Sequence, residues 1–282
     1  MCAKMKNKMM TIISIPLIAM ILFSGYRLEK KMNTYRIEES TKVKTSLEMR
    51  KGRDVDFGKL KERNEDVRAW IYLPDSKIDY PVLQGEDNDF YLHRDIDKNY
   101  LYDGSIYIDS TNEFPFRDKN TVIYGHHMFS GAMFCGLEKF ADKEYFDSHR
   151  IFQLTTEDGK YDIHAIAYLN EDAFSDLYLT DFDDASFTTT DFINLIKENA
   201  KVLSDEDFDE TDTFVTMSTC AYNYDDARHQ VIGIIKPAQM VEKETKTYEF
   251  TVNKWLLCQI GVGVLMALIA ITPFTGRKRS KR

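Results

Sequence analysis

Hydrophobic and polar positions along this chain fall into three regimes. Two uncharged apolar runs lie near its ends, residues 9–25 and 255–274. Between residues 27 and 66, Lys, Glu and Arg dominate and apolar residues return at helical intervals, with Phe57, Leu60 and Val67 on one face. This predicts a helical stalk over 27–54 leading into a packed helix. From Trp70 onward the period shortens to that of strands. Segments 70–73 and 78–83 read as short strands parted by Pro74-Asp75, and 105–109, 121–124, 151–155, 161–168, 213–219 and 230–235 continue the series. Helices are predicted at 132–140 and 189–203, the latter carrying Phe192, Ile193, Leu195, Ile196 and Val202 on one side. Many short strands with few helices predict a mainly β domain, an open or closed barrel with peripheral helices. The acidic run 205–212 lacks the central glycine and distal glutamate of a calcium loop and reads as a solvated turn before a strand.

The terminal runs set the expected topology. About 20 uncharged residues are enough to cross a bilayer core, and 255–274 meets that length. Trp255 opens the run and the basic tail Arg277-Lys-Arg-Ser-Lys-Arg282 closes it. Positive flanks stay cytoplasmic, so the C-terminus is expected inside. The first run follows Lys4, Lys6 and Lys8, lacks an Ala-x-Ala cleavage site and reads as an uncleaved signal anchor. The expected order is a cytoplasmic N-terminus (1–8), a transmembrane anchor (9–26), the stalk, a folded domain (55–240), a linker (241–254), a second transmembrane helix (255–274) and a cytoplasmic tail (275–282). The folded domain then lies outside the cell. Net charge is −9 and the middle is more acidic still, which argues against a nucleic-acid partner.

Of four cysteines, only Cys135 and Cys220 fall in the folded domain. No cysteine pair has the C-x-x-C spacing of a zinc site, and nothing in the sequence points to a metal or cofactor. A Cys135–Cys220 disulfide competes with a reactive thiol at Cys220. Cys220 ends an apolar strand, a rigid place for a reactive group, and opens a polar loop. Only the thiolate is nucleophilic, so a useful cysteine needs a base or positive surroundings. Arg228 begins the next strand and returns close to Cys220 if the two strands are antiparallel neighbours. There it can stabilise an oxyanion, or it can form a surface ion pair with Asp225 or Asp226. His126 and His127 follow another strand end. Adjacency sends their side chains opposite ways, and the pattern alone does not choose between them. Cys135, on the helix at 132–140, reads as packing.

Thr216-Met-Ser-Thr-Cys220 resembles the Thr-Leu-x-Thr-Cys signature of sortases, with Met217 for the usual Leu. Ile123-Tyr-Gly-His126 resembles the histidine motif of that family, and Arg228 matches its arginine. Tyr80-Pro-Val-Leu-Gln-Gly85, Asn88, Gly104-Ser-Ile-Tyr-Ile108 and Asp118-Lys-Asn-Thr-Val122 look like the class B branch, as does a helix inserted before the cysteine strand. The resemblance spans roughly residues 55–236. It implies an eight-stranded barrel and a cysteine transpeptidase without cofactor, with His126, rather than His127, joining Cys220 and Arg228 as catalytic residues. It also implies a peptide groove lined by Asn88, Leu92, Tyr178, Leu179 and Ser218. Substrates would be exported proteins bearing a C-terminal sorting signal, and the acceptor an amine. Class B enzymes usually resemble proteins with one N-terminal span. A second span looks more like the pilin-polymerising class C, yet residues 27–66 hold no Asp-Pro-aromatic lid. A cell-wall peptide and a pilin lysine thus both stand as acceptors. Competing readings are a thiol protease of another family, whose cysteine usually opens a helix, and a non-catalytic surface module.

Overall fold

The computed structural model describes residues 17–30, 48–128, 130–173, 175–182, 186–221 and 226–238. Residues 17–30 form helix α1, with Leu17, Ile21, Leu22 and Phe23 exposed. Among the described residues no helix is long and apolar enough to cross a membrane. The expected second span lies outside the described residues, as does the start of the first.

The stalk expectation changes near its end. Instead of continuing helical to residue 54, the chain makes a two-stranded ribbon, β1 (Arg50–Lys51) and β2 (Asp54–Val55), turning at Gly52-Arg53. Helix α2 (Phe57–Arg63) follows, its N-terminus capped by the Asp56 carboxylate accepting from Lys59 N. It buries Phe57 and Leu60 against Trp70, Leu83 and Tyr91.

Eight strands then close on themselves. They are β3 (Val67–Tyr72), β4 (Asp79–Leu83), β5 (Ile106–Ile108), β6 (Asn120–Tyr124), β7 (Ile151–Thr156), β8 (Lys160–Asp172), β10 (Phe214–Cys220) and β11 (Ala227–Pro237). Their order is β11-β10-β6-β5-β4-β3-β7-β8, and a β11–β8 ladder seals the ring. The predicted barrel with peripheral helices is thus borne out. Closure removes the exposed edges that an open sheet of this size would leave. The interior is filled by Ile71, Val82, Ile106, Ile123, Leu154, Val215, Met217 and Val231, all essentially without solvent contact.

Two predicted helices come out differently. Segment 132–140 is a 3-10 coil, Phe134–Ala141, and its buried residues Phe134, Leu137 and Phe140 recur every third position. That is the period at which 3-10 side chains eclipse, so burial of all three favours the tighter coil. It leads into a short helix that the sequence did not announce, α3 (Lys143–Ser148). Helix α4 (Thr189–Asn199) stops before residue 203. It opens with a reciprocal Thr188–Asp191 capping box and buries Phe192, Ile193 and Ile196. Val202, which is β-branched, and Leu203 then add a two-residue strand, β9, to β8.

The acidic run is only partly solvated. Glu206 draws Arg150 (3.3 Å), His164 (3.0 Å) and Lys236 around a carboxylate that is only 15% exposed. Burial raises its pKa, but the Lys236 hydrogen bond and the His164 and Lys236 charges outweigh that and hold it below its ordinary value.

Candidate active site

Three neighbouring strands, β6, β10 and β11, end together on one rim of the barrel. Strand β10 lies between them, antiparallel to β11 and parallel to β6. Its residues Phe214–Thr219 are all buried, and only at Cys220 does the chain come half-way into solvent. The loop that follows closes with Ala221 N donating to Ala227 O (2.8 Å). Residues 222–225 of that loop, Asp225 among them, lie outside the described residues.

Cys220 and Arg228 are directly paired across β10 and β11. Residues so paired project from the same face with Cβ atoms about 4.5–5.5 Å apart. The guanidinium is steadied by Nη1 donating to Ala227 O (3.0 Å). Both charges reach the tyrosines beneath. Burial pushes the Tyr178 phenol up, with Cys220 adding and Arg228 opposing, and Tyr107 is raised chiefly by burial and Asp109. Cys135 and Cys220 are both free thiols, which removes the disulfide reading.

His126 arrives from the parallel neighbour. Tyr124 pairs with Ser218, and Gly125 N donates to Ser218 O (3.1 Å). His126 follows Tyr124 by two residues, as Cys220 follows Ser218. His126 Nε2 donates to the Leu92 carbonyl (2.7 Å), and its ring lies near-parallel to those of His93 (5.4 Å) and Tyr102 (6.4 Å), which also stack on each other (6.0 Å). A carbonyl only accepts, so Nε2 holds a proton and Nδ1 is the atom left to gain or lose one. Burial lowers the His126 pKa and the neighbouring His93 adds to this, while the Leu92 bond and Asp103 oppose it. His127 turns the other way, toward Glu138 and Cys135.

The Leu92 carbonyl is itself held in place. Gly104, at φ +57°, packs so closely that a Cβ there would lie 2.2 Å from Leu92 O. One residue before Leu92, Tyr91 is fully buried, donates to Asp66 (2.5 Å) and accepts from Asn64 Nδ2 (2.8 Å).

The five expected groove residues separate into kinds. Tyr178 and Ser218 touch, hydroxyl to hydroxyl, at 2.8 Å beneath the cysteine. Asn88 joins them indirectly: it donates to Asp109 (2.8 Å), which accepts from Tyr124 (2.9 Å), whose ring stacks on Tyr178 (6.0 Å). Leu92 packs its side chain against the Phe57–Tyr91 cluster and faces the site through its carbonyl. Leu179 is 38% exposed next to Tyr178, and its carbonyl accepts from Asn120 (2.8 Å). Sequence reasoning overlooked Gln230, which is fully buried and donates to Tyr178 Oη (3.0 Å). A glutamine two residues after Arg228, on the same face of an apolar strand, was the available signal.

A thiol paired with an arginine, and an imidazole just past the neighbouring strand end, are the groups needed to attack an acyl carbon, stabilise the oxyanion and move one proton. Known proteins carry the same arrangement of strands. The family model described as Sortase domain matches residues 71–238. Sortase B of Staphylococcus aureus is 26% identical over 238 residues, 82% of this chain and 97% of that protein. Sortase B of Listeria monocytogenes is 29% identical over 228 residues, 77% of this chain and 92% of that one. A solved Staphylococcus aureus sortase B–substrate complex superposes with TM-score 0.61 at 29% identity, over 65% of this chain and 85% of the other. On fold, motifs and matched length together, the chain belongs to the sortase family of cysteine transpeptidases and is class B-like.

Proposed function

We propose that this protein is a membrane-anchored transpeptidase that cuts a C-terminal sorting signal of exported proteins and joins the new end to an amine. The pairing of Cys220 with Arg228, beside the strand end that bears His126, carries the reading. The Cys220 thiolate attacks the scissile carbonyl carbon, and the carbonyl electrons move to oxygen. Arg228 faces that oxyanion. Collapse breaks the C–N bond, the departing amine takes a proton from His126, and a thioester to Cys220 remains. An incoming amine then attacks the thioester, His126 receives its proton, and the sulfur leaves as thiolate. The tautomer set by the Leu92 carbonyl assigns that traffic to Nδ1 of His126.

The floor formed by Tyr178, Ser218 and Asn88, with Leu179 at its margin, supports a peptide groove leading to the sulfur. The acceptor is a cell-wall peptide amine or a pilin lysine. The exposed apolar face of α1 and the uncharged run 255–274 support two membrane anchors, with both termini cytoplasmic and the barrel outside. A sorting-signal peptide library offered with either amine class tests the whole reading. Wild type yields a new amide with one of them, while Cys220→Ala and His126→Ala yield none although they fold. Full turnover by Cys220→Ala, or free acid as the sole product with amine present, overturns it.

A further inference from the structure

On the opposite face of the same strands lies a second cluster that the transpeptidase chemistry does not use. His127, Glu138 and His229 each present a donor atom, all within 4.8 Å of one another. They come from three elements: the turn after β6, the 3-10 coil and β11. The thiol of Cys135 flanks them from outside that 4.8 Å group, 3.7 Å from His127 Nε2 and 3.9 Å from Glu138 Oε1. We propose that this cluster is a binding site for a zinc-like divalent transition cation, held by His127, Glu138 and His229 with Cys135 as fourth donor.

Three observations converge on it. The donor set of two imidazoles, a carboxylate and a thiol suits zinc, and hard cations such as calcium or magnesium take oxygen ligands instead. In a tetrahedral zinc site, neighbouring nitrogen and sulfur donors stand about 3.6 Å apart, as two bond lengths near 2.1 and 2.3 Å require. The Cys135–His127 separation of 3.7 Å already matches that edge. Second, Tyr168 Oη lies 2.7 Å from His229 Nδ1. With Nδ1–H donating to that oxygen, Nε2 is the atom left bare for the metal. Third, Thr219 is paired directly with His229 and shares its face, and its hydroxyl is buried without a hydrogen-bond partner among the described residues. The ligands evade sequence inspection because their spacings, 127 to 138 to 229, follow no short motif.

At present the His127–Glu138 contact (2.9 Å) reads equally as a plain ion pair, so the experiment must separate the two. The full chain in detergent, carrying Cys220→Ala to remove the reactive thiol, is stripped with chelator and titrated with cobalt(II), then zinc(II). The expected result is one saturable equivalent with the visible absorption of tetrahedral cobalt, displaced by zinc. Cys135→Ser removes the thiolate-to-cobalt charge-transfer band. Glu138→Gln and His229→Ala each weaken binding by about 10- to 100-fold. Zinc raises the unfolding midpoint of the parent more than that of Glu138→Gln, an exposed and nearly isosteric change that serves should His229→Ala fail to fold. No saturable cobalt binding, or Glu138→Gln binding as tightly as the parent, overturns the proposal and leaves an ion pair.

Discussion

Replacing Gly104 with alanine should disable the enzyme without touching any catalytic side chain. At φ +57° the new side chain bears a left-handed penalty of about 1–2 kcal/mol. Its Cβ would also stand 2.2 Å from the Leu92 oxygen and 2.7 Å from both the Leu92 carbonyl carbon and the Tyr91 oxygen. Ordinary contact begins at 3.4 Å, so the Leu92 carbonyl must retreat by more than 1 Å. That carbonyl holds His126 Nε2 at 2.7 Å. A displacement of about 1 Å at a proton-transfer group costs roughly 10²-fold in rate. We expect Gly104→Ala to lower kcat/KM for a sorting-signal peptide by roughly 30- to 100-fold. Stability should fall by about 2–4 kcal/mol, the strain and the clash together. Gly52→Ala supplies the control, because Gly52 has the same backbone sign (φ +61°) but nothing within 4 Å of where the added methyl would stand. It should lose about 1–2 kcal/mol and no activity. Alkylation of Cys220 in both variants reports whether the thiol is still presented. If Gly104→Ala is no worse than Gly52→Ala in turnover and midpoint, the Leu92 carbonyl does not position His126.

Further outcomes can be measured on the same preparations. Tyr91→Phe removes the bond to Asp66 and the acceptor for Asn64, and should cost about 1–2 kcal/mol in denaturant unfolding, with a smaller loss of turnover than Gly104→Ala. Tyr178→Phe strips partners from Ser218 and Gln230 and should cost about 1–3 kcal/mol while Cys220 still alkylates at the wild-type rate. Arg228→Lys keeps the charge but loses the planar fork, so kcat should drop by roughly 10²-fold with little change in thermal midpoint. Glu206→Gln should destabilise by about 1–2 kcal/mol at pH 7, between the ranges for exposed and buried pairs. The folded-state pKa of Glu206 is lowered, so its contribution is complete above the ordinary glutamate value and is lost as pH falls through the depressed one. Urea midpoints of wild type and Glu206→Gln should therefore converge below about pH 4.

How far the chain could be read depended on the distance over which each feature is set. Cys220 and Arg228 were legible because only a short loop separates two apolar runs, and an antiparallel return fixes the pair. The split between His126 and His127 followed from alternation alone. The choice of His126 came from the family motif, since no local pattern tells a reader which strand β6 will lie beside. The support from Leu92 was illegible in kind: its side chain suggested a groove, but its backbone oxygen does the holding, 34 residues away in sequence. Glu206 was misjudged because the charges that gather it, Arg150, His164 and Lys236, lie on other strands and segments. Residues 134–141 followed a period of three, which a search for a period near 3.6 reads as an ordinary helix.

Alternation along β10 and β11 also explains how one strand pair serves two chemistries. Ser218, Cys220, Arg228 and Gln230 occupy one face, while Thr219 and His229 occupy the other. His126 and His127 make the same division at the end of β6. Every group of the second cluster is thus within a residue of the catalytic rim or on the coil that packs behind it, yet none shares a face with the sulfur. A cation drawing His127 and His229 together would tie the end of β6 to the start of β11 across the back of β10. It would leave the thiol, the guanidinium and the His126 imidazole untouched, and would act on them only through the backbone that sets their spacing. Metal binding and transpeptidation are therefore separable by substitution: Glu138→Gln should reduce the gain in thermal midpoint from zinc, while metal-free turnover stays at the wild-type level.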